Sequence, residues 1–325
     1  MRPTPSSVHV DGPLTMMSIA YIQNAAHFIA SRVFPKIPVK KQSDRYYVWN
    51  QEDWFRDEAE KRAPGTESAG SNYSLSLDSY FCDPYSIHKD VDDQTRANAD
   101  QQINPDRGAT NLVTQRLLLR RERAFVSKAF KAGVWGATKV GGAAVGGGVD
   151  FVRWSDYGAS DPRKDIKAGR RQILASTGFL PNTLVLSYDA KDALIDHPDF
   201  IDRIKYTSRD SVTPEMLAKF FELDRVLVAM SVENAAKEGA AKSMGFQFGK
   251  HALLAHVADQ PGMETPSAGY TFTWDSYAPA GDDNGVRVKR FRMEQIESDR
   301  IEGTMAFDDK IVAPELGYFF EDCVE

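Results

Sequence analysis

The sequence predicts an α+β chain in which an α/β block is inserted into a domain built from its two flanks. Three observations predict it. Residues 32–85 read as two strand-like legs joined by a turn-rich loop. Residues 105–131 carry the strongest helical periodicity in the chain. From Val286 onward, apolar residues alternate over long distances, as they do in strands.

The first element is the hairpin. Its outgoing leg, Asp44 to Trp49, is rich in strand-favouring residues. Its returning leg alternates, with Tyr73, Leu75 and Leu77 on one side and Ser74, Ser76 and Asp78 on the other. Pro64, Gly65, Gly70, Ser71 and Asn72 mark the loop between them. Legs of roughly 12 to 16 residues would reach ~40–50 Å. That exceeds the ~20 Å radius of gyration of a globule of this length. An isolated hairpin is marginal in water, and this one carries Tyr46, Tyr47, Trp49, Trp54 and Phe55. A neighbouring subunit is a natural cover for these rings, which makes them candidate inter-subunit residues. The alternative is a hairpin that folds back on its own sheet.

Ahead of the hairpin, residues 1–15 read as an extended arm and 16–31 as a short helix with Ile19, Ile22, Ala26 and Ile29 in helical register. Behind it, residues 86–105 read as helical or irregular. The long helix follows, with Asp106 as its cap and Gly133 beyond its end. Leu118, Leu119, Phe125, Val126, Ala129 and Phe130 fall on one face. Arg116, Arg120, Arg121, Arg123, Lys128 and Lys131 fall on the other. Such a face is either solvated or meets acidic neighbours or nucleic acid; Arg116, Arg120, Arg123 and Lys131 are its candidate contacts.

The glycine-rich stretch after this helix lacks the G-x-G-x-x-G spacing of a dinucleotide loop and reads as a connector to a short strand at 151–154. A helix follows from Asp161 to Gly178. Then come a strand at 183–187, a helix at 188–196, a helix at 214–221, a strand at 225–230, and short strands at 245–248 and 253–257. The tail contributes strands at 286–296 and 301–307. From Asp282 onward it holds 12 acids and 6 bases, an acidic edge suited to a basic face.

Composition narrows the function. The chain has 325 residues, is 42% hydrophobic and carries a net charge of -6, so its overall balance does not mark a nucleic-acid binder. Cys82 and Cys323 do not form a disulfide framework. No apolar run is long enough to span a membrane, and the N-terminus lacks the apolar core of a signal peptide, so synthesis in the cytoplasm is expected. No metal, nucleophile-elbow, phosphate-loop or calcium-loop motif occurs. His251 and His256, five apart in a strand-like stretch, fall on opposite faces. No enzyme, metal or cofactor is expected.

The sequence VFPKIPVKKQSDRYYVWNQEDWFR at 33–56, the APGTES loop at 63–68 and NTLVLSYDAKDALIDHPDFIDRIKY at 182–206, in this order of elements, resemble the major capsid proteins of tailed bacteriophages with the Hong Kong ninety-seven-type fold. The resemblance covers essentially the whole chain. It implies an N-terminal arm at 1–34 and an extended loop at 35–86 lying across the adjacent subunit. It implies a peripheral domain at 87–177 and 286–325, with a spine helix at 106–131, and an inserted axial α/β domain at 178–285. It also implies pentamers and hexamers closing into an icosahedral head around non-specifically held double-stranded DNA. The partners would be further copies of the chain, a portal, and separate scaffolding or decoration proteins, with no membrane. The arm begins almost at Met1, so scaffolding is expected to be separate or absent. No Lys61 crosslink is expected. The alternatives are an encapsulin-like compartment and a soluble α/β enzyme.

Overall fold

The computed structural model describes residues 23–49, 51–99, 104–204, 213–262, 265–278 and 285–325. The expected arm at 1–15 and the first part of the expected 16–31 helix lie outside these residues. The described remainder of that helix is broken into a 3-10 turn at Ala25–His27 and one short turn, α1 (Ala30–Val33). Ile29, Val33 and Phe34 are fully buried there, and they pin the chain to the core.

Strands β1 (Lys36–Val39) and β2 (Ser43–Trp49) lead to a helical turn, α2 (Gln51–Trp54), at the hairpin tip. The chain returns through β3 (Leu75–Phe81) and runs on as β4 (Asp83–Asp92) and α3 (Asp93–Asn98). The long helix α4 spans Pro105–Ala129. Asn104, not Asp106, caps it, its side chain accepting from the Arg107 N–H at 3.0 Å. Next come β5 (Ala137–Gly142), β6 (Phe151–Val152), α5 (Pro162–Thr177), β7 (Thr183–Ser187), α6 (Tyr188–Ile195), α7 (Pro198–Ile204), α8 (Pro214–Phe221), β8 (Arg225–Ala229) and β9 (Val232–Asn234). The chain ends through β10 (Met244–Phe246), β11 (Ala252–Ala255), β12 (Gly269–Trp274), β13 (Arg287–Met293), β14 (Ser298–Ile311) and β15 (Gly317–Glu321). Asp161 caps α5 and Gly178 closes it in the left-handed conformation, as the sequence predicts.

Two sheets organise these elements. The first is built on β14, which holds β4 along one edge and β13 followed by β12 along the other, with β1 outside β12. Helix α4 lies on it. Val113 and Leu117 pack against Val286, Met305 and Phe307, and Ala109 against Val91 and Ile301. A Cβ at Gly303 would fall 2.3 Å from Val113, so only glycine lets the helix come this close. The second sheet runs β6-β5-β15-β11-β7-β8. Strand β7 is buried throughout, as a strand with neighbours on both edges and both faces must be.

The sheets cross the expected domain boundaries. The block at 178–285 supplies only β7, β8 and β11 of the second sheet; β5, β6 and β15 come from outside it. Conversely, β12 lies within that block but belongs to the first sheet. The glycine-rich connector is also partly strand. Gly141 and Gly142 lie in β5, paired with Phe151 and Val152, where a Cβ would crowd the Asp322 carbonyl and Val149. Residues 86–92, expected as helical or irregular, continue strand β4: Tyr85, Ile87 and Val91 turn inward in period two.

Candidate subunit interface

Strands β2 and β3 pair only with each other among the described residues, in a seven-residue antiparallel ladder from Ser43–Phe81 to Trp49–Leu75. The ladder is shorter than the expected legs because each leg changes partner at the root. Residues 36–39 run parallel to β12, and 83–92 pair with β14. Cys82 N–H donates to the Gln42 carbonyl at 2.8 Å, and Phe81 N–H to Asp308 Oδ2 at 3.1 Å, fixing the root.

The hairpin has two unlike faces. On one, Tyr80 stacks on Phe272 with centroids 4.5 Å apart, and Tyr46 lies 5.3 Å from the same ring. Tyr46 Oη also donates to Asp78 Oδ2 at 2.6 Å. Desolvation and this carboxylate raise the Tyr46 phenol well above its ordinary value. Tyr46 therefore packs against Phe272 of its own chain. On the opposite face the register sets Tyr47 beside Leu77 and Trp49 beside Leu75, with Phe81 nearer the root. Tyr47 is 65% exposed and Leu77 54%; Leu75 and Phe81 are also exposed. This is an apolar strip facing solvent, interrupted between Leu77 and Phe81 by the Arg45–Ser79 pair. Leu75, Leu77 and Phe81 were not among the expected contacts, although the alternation of the returning leg carried the first two.

Beyond the ladder, Trp49, Trp54 and Tyr73 form a ring cluster with centroids 5.3–6.3 Å apart. Asp53 Oδ2 accepts from Ser74 N and Oγ at 2.8 and 2.5 Å, which shuts the tip, and these hydrogen bonds hold the Asp53 carboxyl below its usual range. Trp54 and Phe55 stay about three-fifths exposed, at 61% and 62%.

The basic face of α4 is less uniform than the sequence suggests. Arg116 and Lys131 are exposed. Arg120 lies over the Tyr85 ring at 4.7 Å, and Arg123 reaches Glu233 at 4.0 Å. Arg121, expected on this face, is buried with Glu122 and Asp309 around it. Lys128 Nζ is held by Asp308 at 2.5 Å. Acids of the tail are also engaged within the chain: Asp299 meets Arg96, Arg290 and Arg292, and Asp308 holds Lys128.

Among the described residues no group of three or more His, Cys, Asp or Glu side chains is placed to hold a metal. No helix among them is long and apolar enough to cross a membrane. Both cysteines are free and buried.

No protein-family model matches the chain. It is 24% identical over 317 residues to the major capsid protein of Burkholderia phage BcepMu, covering 95% of both chains. It is 26% identical over 326 residues to the major capsid protein of Pseudomonas phage JBD67, covering 97% of both. Among solved structures, a phage-related protein from Bordetella bronchiseptica superposes with a TM-score of 0.68 at 24% identity, over 93% of this chain and 94% of that one. The capsid of Cyanophage P-SCSP1u gives 0.57 at 10% identity, over 89% and 86%. An encapsulin from Synechococcus elongatus gives 0.53 at 10% identity, over 97% and 95%. The fold is the Hong Kong ninety-seven-type capsid fold.

Proposed function

We infer that this chain is a major capsid protein of the tailed-bacteriophage kind, a subunit that assembles with its own copies into a closed shell. The carrying observation is the solvent-facing strip of Tyr47, Leu75, Leu77 and Phe81 on a hairpin that joins no other sheet among the described residues. Apolar area on such an arm gains ~25 cal/mol per Å² when a neighbour covers it. Contacts of this size, repeated around a shell, are individually weak enough to correct errors and collectively strong. The full-length similarity to two phage capsid proteins supports the same reading.

The finer assignments extend this reading. The β14 sheet with α4 is the peripheral domain, and the second sheet with its helices is the axial domain, clustering at five-fold and six-fold axes. Arg116, Arg120, Arg123 and Lys131 contact the packaged double-stranded DNA or an acidic neighbour, without sequence preference. The shell forms in the host cytoplasm, takes a portal at one vertex, and uses a separate scaffold or decoration protein where needed. The likeness to an encapsulin keeps a genome-free compartment as the second reading.

Negative-stain electron microscopy with light scattering tests the function. Closed shells of uniform diameter, or rings of five and six, are expected. A chain that stays monomeric at all concentrations and with co-expressed head proteins would overturn the reading. DNA in the particles separates a virus head from a compartment.

A further inference from the structure

The hairpin tip does not hang free. The Gln51 side-chain amide donates to the main-chain carbonyl of Ser176, in the last turn of α5. The Phe55 ring rests on Gly178, where an added Cβ would stand 3.2 Å from Cε1. The seat suits this visitor. The last carbonyls of a helix lack intrahelical donors, and Gln51 supplies one. Gly178, already required in the left-handed conformation at φ 74° to end α5, has no side chain to bar the ring. Around it Leu174, Phe179 and Leu180 remain exposed, an apolar rim that the single Phe55 does not cover.

We propose that this seat at the end of α5 is the receptor for the hairpin tip of a second copy of the chain, and that before assembly each subunit occupies it with its own tip. The proposal rests on the capsid reading. The tip bears both groups the seat accepts, and every copy presents an identical tip, so exchange between copies replaces each contact with itself. The resident contact is thin, leaving Phe55 62% exposed. Among the described residues the hairpin is joined to the rest of the chain by its root, by Tyr46 and Tyr80 on Phe272, and by this touch at its tip, so its outer end can swing out with the ring cluster intact. In the exchanged state the apolar strip of the hairpin and the rim of the seat are covered together. A tip that is withheld until neighbours compete for the seat also limits premature pairing of exposed arms.

The test uses the full chain carrying Gln51→Cys and Ser176→Cys, treated with a short bismaleimide crosslinker. Cys82 and Cys323 are buried, so the unsubstituted chain serves as the unlabelled control. Unassembled subunits are expected to crosslink within one chain, and assembled shells to crosslink chain to chain into ladders on a denaturing gel. Subunits crosslinked before assembly are expected to lose shell formation, while mock-treated ones keep it. Intrachain crosslinks in finished shells, absence of crosslinks in free subunits, or normal shells from locked subunits would each overturn the proposal. If the mock-treated chain never forms shells, the failure belongs to the capsid reading instead.

Discussion

Glu122 is the side chain on which the start of the described chain depends. It is fully buried in α4, and its two carboxylate oxygens accept the backbone N–H groups of Ile29 and Ala30, the latter at 2.9 Å. Burial pushes its carboxyl up to about 7, although the two N–H donors and Arg121 pull it down. Burial likewise raises Asp165, to about 6, and Asp309. A carboxyl whose folded value lies above its ordinary 4.5 binds its proton more tightly in the folded chain. Stability therefore falls as pH rises from the ordinary value through the folded one, then levels off. We predict a thermal midpoint that declines between about pH 5 and pH 7. In Glu122→Gln that decline shrinks by on the order of 2 kcal/mol, read by scanning calorimetry across this range. An unchanged pH profile would mean that Glu122 does not titrate there. Helical angle alone sets Arg121 on the outer face, because it reports a face and not the opposite charges that make burial tolerable. Burial disfavours the Arg121 cation, and Asp309, 188 positions away in sequence, and Glu122 offset part of that cost.

Elements were legible where their signals are local. The cap at Asp161, the left-handed Gly178 and the buried run of β7 are all readable within a few residues. Strands β4 and β5 were not, because their polar and glycine residues are strand-like only beside β14 and β15. The hairpin's alternation is legible but predicts legs longer than its ladder, since alternation identifies a strand without naming its partner. The contact of α4 with β14 depends on a position that looks unimportant in sequence. Gly303→Ala places a methyl group 2.3 Å from Val113 and 2.8 Å from Leu117, so the helix must lift. We expect a loss of about 1–3 kcal/mol, measured by urea unfolding. A neutral result would show that the interface relaxes freely. On the hairpin the expectation is reversed. Leu77→Glu changes an exposed position and should leave unfolding within about 0.5 kcal/mol, yet abolish shells in electron micrographs. Trp54→Ala should weaken assembly more than folding.

At the scale of the whole molecule, charge and apolar surface are separated. The hairpin offers the exposed rings, whereas α4 and the turn after it offer Arg116 and Lys131 to solvent, and α4 keeps Arg120 and Arg123 near Tyr85 and Glu233. Each exposed cation that neutralises a phosphate steepens the salt dependence of DNA retention. The double substitution Arg116→Ala with Lys131→Ala should leave shells intact and lower the salt at which opened particles release DNA, followed by nuclease protection. Equal retention at every salt concentration would remove these residues from the DNA-facing surface.

The β4–β14 ladder has a mechanical consequence. Ten residue pairs in continuous register, from Asp92–Ser298 to Asp83–Phe307, bind two strands along their full common length. A shell swollen from inside is stretched along its wall. Where that tension runs parallel to the strands, the ladder is loaded in shear, and its hydrogen bonds must yield together. Where it runs across them, the ladder unzips one pair at a time. The direction of β14 in the wall thus sets whether a head resists internal pressure as a rope or parts as a seam.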